Sequence, residues 1–144
     1  MPVPTLVTNK IKIAIVDDHL LFCKSLRVLI NLFPRYHVIF DAANGKDFIR
    51  QLKKDNLPAI VLMDIHMPGM DGFETVKTLR RLKDIKYQAL PVIALTGSVF
   101  AEHERMIKDA GMNDFVLKPF DSDLLYRKIK RLLGQNKGAL DPLT

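Results

Sequence analysis

The sequence predicts a doubly wound α/β domain, in which helices cover both faces of a five-stranded parallel sheet. Five short apolar runs recur along the chain, and each is followed by a segment whose apolar residues have helical spacing. The runs are continuous rather than alternating, which is typical of strands buried on both faces of a parallel sheet. The 144 residues are enough for one domain with a core of its own, but not for two.

Most residues in the five predicted strands are apolar. The strands are residues 11–16, 38–40, 59–63, 91–95 and 114–117. With a helix after each strand the order is βαβαβαβαβα. Right-handed crossovers then place helices on both faces of the sheet.

The first two helices are predicted from apolar spacing. The first has apolar residues at i, i+4, i+7, i+8 and i+11, namely Phe22, Leu26, Leu29, Ile30 and Phe33. Pro34 ends this helix, because proline cannot continue the hydrogen-bond ladder. The second, over residues 44–54, has Phe48 and Leu52 one turn apart.

The last three helices carry terminal signals as well. The third opens at Asp71 with Glu74 three residues later, which is a capping-box arrangement. The fourth, over residues 100–110, ends at Gly111, a residue suited to a left-handed cap. The last has basic residues opposite an apolar face formed by Leu125, Ile129, Leu132 and Leu133.

Composition excludes several classes of protein. Hydrophobic residues make up 48% and charged residues 26%, which argues against disorder. A single cysteine, Cys23, excludes an intramolecular disulfide and a multi-cysteine metal site. No apolar run is long enough for a membrane span, and residues 1–10 do not resemble a secretory signal. We expect a cytoplasmic protein that does not contact a membrane.

The net charge of +6 permits a nucleic acid or an acidic partner. The basic residues are scattered, and solvated helix faces account for most of them. We therefore expect no direct nucleic-acid binding by this chain.

Polar residues follow four of the five predicted strands, at the edge where open α/β sheets bind their ligands. These are Asp17, Asp18 and His19 after strand 1, Asp64 and His66 after strand 3, Thr96, Gly97 and Ser98 after strand 4, and Lys118 after strand 5. Three clustered acids repel one another, and a hard cation, chiefly Mg²⁺, relieves this repulsion. Lys118 and Thr96 can contact an anion there. The set predicts a phosphoryl-transfer site with aspartate as the nucleophile.

Four motifs at these strand ends resemble the receiver domain of two-component response regulators, of the chemotaxis-regulator type. They are residues 15–18 (IVDD), 63–72 (MDIHMPGMDG), 94–97 (ALTG) and 115–120 (FVLKPF). The resemblance implies a flavodoxin-like (βα)5 fold with strand order 2-1-3-4-5. It also implies a receiver domain at residues 10–134, with an N-terminal tail at 1–9. Residues 135–144 are then a C-terminal tail or a truncated linker.

The resemblance also assigns roles at the site. Asp64 is the expected phosphoacceptor, which attacks the phosphohistidine of a sensor histidine kinase or a histidine phosphotransfer protein. Asp18 is the expected direct Mg²⁺ ligand, and Asp17 acts partly through water. Asp64 and the backbone carbonyl of His66 complete the metal site. Lys118 is the expected phosphate-contacting lysine, and its bond to Pro119 is usually cis in the family.

Thr96 and Phe115 are the expected switch residues. The Thr96 hydroxyl moves onto the phosphoryl group, and the Phe115 ring turns inward. The unknown downstream partner is expected on the last two helices and the strand between them, at about residues 100–133. Dimerisation linked to phosphorylation is plausible for such a domain. The role is that of a signalling switch rather than an enzyme, with intrinsic self-phosphorylation and slow autodephosphorylation.

Other interpretations stay open from the residues alone. The chain could be a fragment of a larger DNA-binding regulator or of a hybrid histidine kinase. It could also be a phosphatase or phosphotransferase that uses an aspartyl phosphate on small substrates. Asp17 and Asp18 could only start a helix. A zinc site at His19 and His66 is disfavoured, because carboxylate sites of this kind do not need imidazole.

Overall fold

The computed structural model describes residues 10–97 and 101–135. Within them the five predicted strands form one parallel sheet. The strands are β1 (Ile11–Val16), β2 (Tyr36–Ala42), β3 (Ile60–Asp64), β4 (Val92–Thr96) and β5 (Asp114–Leu117). Their order is β2-β1-β3-β4-β5, which confirms the predicted topology. Strand β2 is longer than predicted, because Tyr36 and His37 also pair with β1.

The five predicted helices are confirmed, and a sixth, short helix is present in the described residues. The helices are α1 (Leu20–Asn31), α2 (Gly45–Gln51), α3 (Gly72–Arg81), α4 (Ile85–Gln88), α5 (Ala101–Ala110) and α6 (Ser122–Gln135). The short helix is α4, and the Asp84 carboxylate caps it by accepting the Lys86 amide at 2.8 Å.

The predicted end of the second helix was wrong. Helix α2 ends at Gln51, because Leu52 adopts an extended backbone, and a separate 3₁₀ turn covers Lys54–Asn56. Helix α6 continues through Gln135, one residue into the predicted tail. The rest of that tail, residues 136–144, lies outside the described residues, as do the predicted tail at 1–9 and Ser98.

Two apolar cores lie on opposite faces of the sheet. Along β1, Ala14 and Val16 face one core while Ile13 and Ile15 face the other, as the twofold repeat of a strand requires. The first core is closed by α2, α3 and α5, and the second by α1 and α6. This arrangement is the predicted doubly wound architecture. None of the described helices is long and apolar enough to cross a membrane.

Side chains bind backbone groups of both outer strands. On β2, the Val38 amide donates to Asn31 Oδ1 at 3.0 Å, and Gln51 Nε2 donates to the Asp41 carbonyl at 3.1 Å. On β5, Lys128 Nζ donates to the Phe115 carbonyl at 2.7 Å. Helices α1, α2 and α6 are thereby tied to the two edges of the sheet.

The start of α3 packs tightly against the end of β3. A Cβ atom at Gly72 would lie 2.5 Å from the Asp64 carbonyl oxygen, so only glycine permits this approach. The Asp71 carboxylate accepts the Glu74 amide at 2.9 Å, which confirms the predicted cap. Gly69 has φ +76°, a conformation that glycine adopts without strain. These features fix the loop that follows Asp64.

Candidate functional site

The carboxyl ends of β1, β3 and β5 bring Asp17, Asp64 and Lys118 together, as predicted. Lys118 Nζ lies 2.8 Å from Asp17 Oδ2 and 3.7 Å from Asp64 Oδ1. Asp17 and Lys118 are 101 positions apart in the sequence. The parallel sheet accounts for their meeting, because all of its strands end at the same edge.

Asp17 is a buried carboxylate with several partners. Its Oδ1 accepts the His19 amide at 2.9 Å and lies 3.1 Å from His19 Nδ1, while Oδ2 accepts Lys118 Nζ. Helix α1 begins after His19, which makes no side-chain capping bond. The structure therefore does not support the alternative in which Asp17 and Asp18 serve only to start a helix.

Asp64 is buried and incompletely bonded. Its Oδ1 accepts the His66 amide at 3.4 Å, but its Oδ2 has no hydrogen-bond partner among the described residues. Burial and then the neighbouring Asp17 carboxylate raise the pKa of Asp64, and the charge of Lys118 opposes this shift. A buried acceptor without a partner is costly and uncommon, so this oxygen is available for a ligand.

The acidic cluster fits a hard divalent cation. Asp17, Asp18, His19 and Asp64 each offer a ligand atom, and these atoms lie within 4.8 Å of one another. Carboxylate oxygens are the ligands that Mg²⁺ prefers. The unpartnered Asp64 Oδ2 adds an oxygen that no other described group uses.

His19 belongs to this cluster although the sequence analysis set its ring aside. Its Nδ1 lies 3.4 Å from Asp18 Oδ1 and 3.1 Å from Asp17 Oδ1. The only signal in the sequence was its position directly after the two acids. His66 differs, since its exposed ring lies 6.0 Å, centroid to centroid, from the ring of His103 on α5. The predicted role of His66 uses its backbone carbonyl and stays a prediction.

Lys118 contacts Phe22, a residue that served only to predict the first helix. Its Nζ lies 4.2 Å from the centroid of the Phe22 ring, a cation–π contact. The Lys118 amide donates to the Thr96 carbonyl at 2.7 Å, and the Lys118–Pro119 bond is cis, as the resemblance implied. Contacts from α1 and from the end of β4 thus hold Lys118 beside the acids.

Thr96 lies on β4, next to β3, and Phe115 lies on β5, at the edge of the sheet. Thr96 is fully buried at the end of β4, one residue beyond the Leu95 that pairs with Asp64. Phe115 is half-buried and pairs with Ala94 across the sheet. Thr96 therefore reaches the same edge as the acids, whereas Phe115 lies further back. Their switch roles stay predictions.

Cys23 packs beneath the site. Its Sγ donates to the Asp17 carbonyl at 3.3 Å, and the residue is buried. Burial, together with the nearby carboxylates, raises the pKa of the thiol to about 12. The thiol is therefore protonated at neutral pH. Cys23 therefore packs in the core and does not have the thiolate character of a nucleophile.

The structure thus has a parallel sheet of order β2-β1-β3-β4-β5, with two acids and a lysine together at its carboxyl edge. The chain belongs to the response regulator receiver domain family, whose model matches residues 13–130. The resemblance on which the sequence analysis relied is thereby confirmed.

Relatives of two kinds match the chain. The transcriptional regulatory protein DegU of Brevibacillus brevis is 31% identical over 135 residues, covering 93% of this chain and 54% of the relative. Histidine kinase P4 of Formosa agariphila is 34% identical over 131 residues, covering 89% of this chain and 9% of the kinase. The chain thus spans about half of the regulator and a small part of the kinase.

A solved structure supports the fold. The Vibrio cholerae chemotaxis protein CheY4 has a TM-score of 0.77 and 26% sequence identity. The match covers 86% of this chain and 99% of that one. In this case the similarity extends over nearly the full length of the relative.

Proposed function

We propose that this chain is a phosphoacceptor that takes a phosphoryl group onto Asp64. The donor is the phosphohistidine of a sensor histidine kinase or of a histidine phosphotransfer protein. The observation that carries the proposal is the buried Asp64 Oδ2, which no described group binds, beside Asp17 and Lys118. In the reaction an Asp64 oxygen forms a bond to phosphorus, the nitrogen–phosphorus bond of the donor breaks, and the released imidazole takes a proton.

The other residues stabilise the charge of the transferred group and couple its arrival to a change of surface. Lys118 Nζ, 3.7 Å from Asp64 Oδ1, neutralises charge on the transferred group. The Thr96 hydroxyl donates a hydrogen bond to it and, with the Phe115 ring, turns the local change into a changed surface. Such catalysis depends mainly on positioning and charge neutralisation rather than on covalent chemistry by many groups.

Asp17, Asp18, Asp64 and the His66 carbonyl would hold Mg²⁺ in this proposal. The oxygen-rich cluster supports the assignment. When bound, the ion offsets the mutual repulsion of the acids and the charge of the incoming phosphoryl group. Without the ion, the single positive charge of Lys118 does not balance the negative charge of the three carboxylates.

The proposed role is regulatory. The receiver, at residues 10–134, phosphorylates itself from small donors and loses the phosphoryl group slowly. Its downstream partner binds the face formed by α5, β5 and α6, where Met106 and Leu117 are exposed. Phosphorylation-linked dimerisation could use the same face. The proposal includes no direct contact with nucleic acid or a membrane, and it places the chain in the cytoplasm.

The family includes transcriptional regulators and histidine kinases, so this chain acts as the receiver of either kind of protein or by itself. Relatives that carry the matching segment within a longer chain support the first two arrangements, and CheY4, matched over 99% of its length, supports the third. The chemistry proposed at Asp64 is the same in all three.

The test is intact mass after incubation with acetyl phosphate, with and without Mg²⁺. We expect the wild type to gain one phosphoryl group only with Mg²⁺, and Asp64→Asn to gain none. Asp71→Asn is the matched control, because Asp71 lies on the same loop and caps α3. Full labelling of Asp64→Asn at another residue would overturn the assignment.

A further inference from the structure

Lys128 reaches from α6 across the edge of the sheet to two consecutive residues of β5. Its Nζ donates to Asp114 Oδ1 at 2.9 Å and to the Phe115 carbonyl at 2.7 Å. The same ammonium lies 5.0 Å from the centroid of the Phe115 ring. One cation therefore contacts both the backbone and the side chain of Phe115.

Asp114, which binds the Lys128 ammonium, is itself held by further hydrogen bonds. Asp114 Oδ1 accepts the Phe115 amide at 2.8 Å, and Asp114 Oδ2 accepts Arg131 at 2.6 Å. The Asp114 side chain is only 10% exposed, and it lies between a Lys128 side chain that is 22% exposed and an Arg131 side chain that is 60% exposed. The backbone of Phe115 and the position of the Lys128 cation are thus held together.

The Phe115 ring has more freedom than its backbone. It is half-buried at the margin of the first core, and its partner across the sheet, Ala94, is small. Rotation of the ring away from the edge would leave the backbone bonds in place. It would lose the contact with the Lys128 cation, because that cation is bound to Asp114 and cannot follow.

We propose that Lys128 is a positioning residue that holds the Phe115 ring in its half-exposed orientation and so opposes the switch. This rests on the proposed function, because the switching role of Phe115 belongs to it. A cation–ring contact at a partly exposed site corresponds to about a two- to fivefold change in the ratio of ring orientations. Lys128 thereby sets how readily phosphorylation turns the ring.

The first test follows the ring directly in protein labelled with 4-fluorophenylalanine, with the Phe115 fluorine signal assigned by Phe115→Leu. We expect Lys128→Met to shift or split that signal. Lys128→Arg, which keeps the charge, should leave the signal as it is in the wild type. Lys130→Met is the matched control, because Lys130 lies on the same helix and its Nζ is 5.5 Å from the Tyr126 ring. An unchanged Phe115 signal in folded Lys128→Met overturns the positioning role.

The second test uses beryllofluoride, a phosphoryl mimic, with Mg²⁺. We expect Lys128→Met to bind it about two- to fivefold more tightly than the wild type, and Lys128→Arg to bind like the wild type. In a Phe115→Leu background, Lys128→Met should change the affinity little, because the ring through which it acts is gone. The inference is wrong if Lys128→Met changes the beryllofluoride affinity equally in the Phe115→Leu and wild-type backgrounds. It is also wrong if Lys128→Met has no effect in the wild-type background.

The two proposals fail in different ways. If Asp64 is not phosphorylated and beryllofluoride does not bind the wild type, the proposed function is wrong. The fluorine signal of the unmodified protein then still decides whether Lys128 positions the ring. If phosphorylation of Asp64 is normal and the Lys128 variants match the wild type in both tests, only this inference is wrong.

Discussion

Arg80 lies at the amino ends of the strands and Asp64 lies at their carboxyl ends. The two charged groups differ in how far their polar atoms are hydrogen-bonded. At the amino edge, Arg80 of α3 bonds to backbone carbonyls from separate segments. Its Nε and Nη2 donate to Gly111 at 3.0 and 2.7 Å, and its Nη1 donates to Leu90 at 2.7 Å and Gln88 at 3.0 Å. At the carboxyl edge, Asp64 Oδ2 has no hydrogen-bond partner in the described part of the chain.

The difference separates a charge that supports the fold from a charge that the proposed function uses. Arg80 uses its donors to tie α3 to the chain before β4 and before β5, so the fold depends on it. Burial lowers the pKa of the Arg80 guanidinium. Asp64 is buried without equivalent bonds, so the fold gains little from its charge. We expect Arg80 variants to lose stability and keep the chemistry, and site variants to do the reverse.

The largest expected effect is on chemistry at the carboxyl edge. Lys118→Met removes the cation that lies near both Asp17 and Asp64. Loss of a positioned charge at a reacting centre typically costs about 100-fold or more in rate. We expect phosphorylation by acetyl phosphate to slow by at least that factor, measured by intact mass over time. A rate within about threefold of wild type would remove Lys118 from the mechanism.

The next effect is on stability at the amino edge. Arg80→Met should lower the free energy of unfolding by about 2 to 4 kcal/mol, because the part-buried carbonyls of Gly111 and Leu90 lose their donor. Urea unfolding measures this, and Arg81→Met, on the exposed neighbour, should change it by about 0.5 kcal/mol or less. The folded Arg80→Met protein should still be phosphorylated. Equal stability of the two variants would refute the structural role of Arg80.

Asp64→Asn should raise the free energy of unfolding, whereas Arg80→Met lowers it. Folding raises the pKa of Asp64, so the folded state favours the protonated carboxyl. The contribution of Asp64 to stability therefore becomes less favourable as the pH rises from acid to neutral. In the absence of divalent cations at neutral pH, Asp64→Asn should raise the free energy of unfolding by about 1 kcal/mol. Urea unfolding at acid pH should show a smaller gain, and a loss at neutral pH would contradict the contrast with Arg80.

The smallest effect at neutral pH concerns Cys23. Folding raises the pKa of its thiol from 9.0 to about 12, so the associated stability is present below pH 9 and is lost between pH 9 and 12. At pH 8 we expect the native thiol to react with a disulfide reagent far more slowly than in urea. Equal rates in the two conditions would mean that α1 opens readily beside Asp17.

Much of the fold could be predicted because the strands are short, apolar and continuous. The meeting of Asp17, Asp64 and Lys118 followed from the same pattern, since parallel strands end at one edge. The short helix α4 could not be predicted, because four residues show no periodicity. The bonds of Arg80 to Gly111 and the ring of Phe22 beneath Lys118 join distant segments, and no local pattern reports such contacts.

The side chains that bind the outer strands also limit how this protein can associate. An open strand edge invites another chain to pair with it, which leads to aggregation or strand exchange. Here Asn31 and Gln51 occupy backbone groups of β2, and Lys128 occupies the Phe115 carbonyl of β5. These bonds use backbone groups that an added strand would need, and within the described residues the sheet ends at five strands.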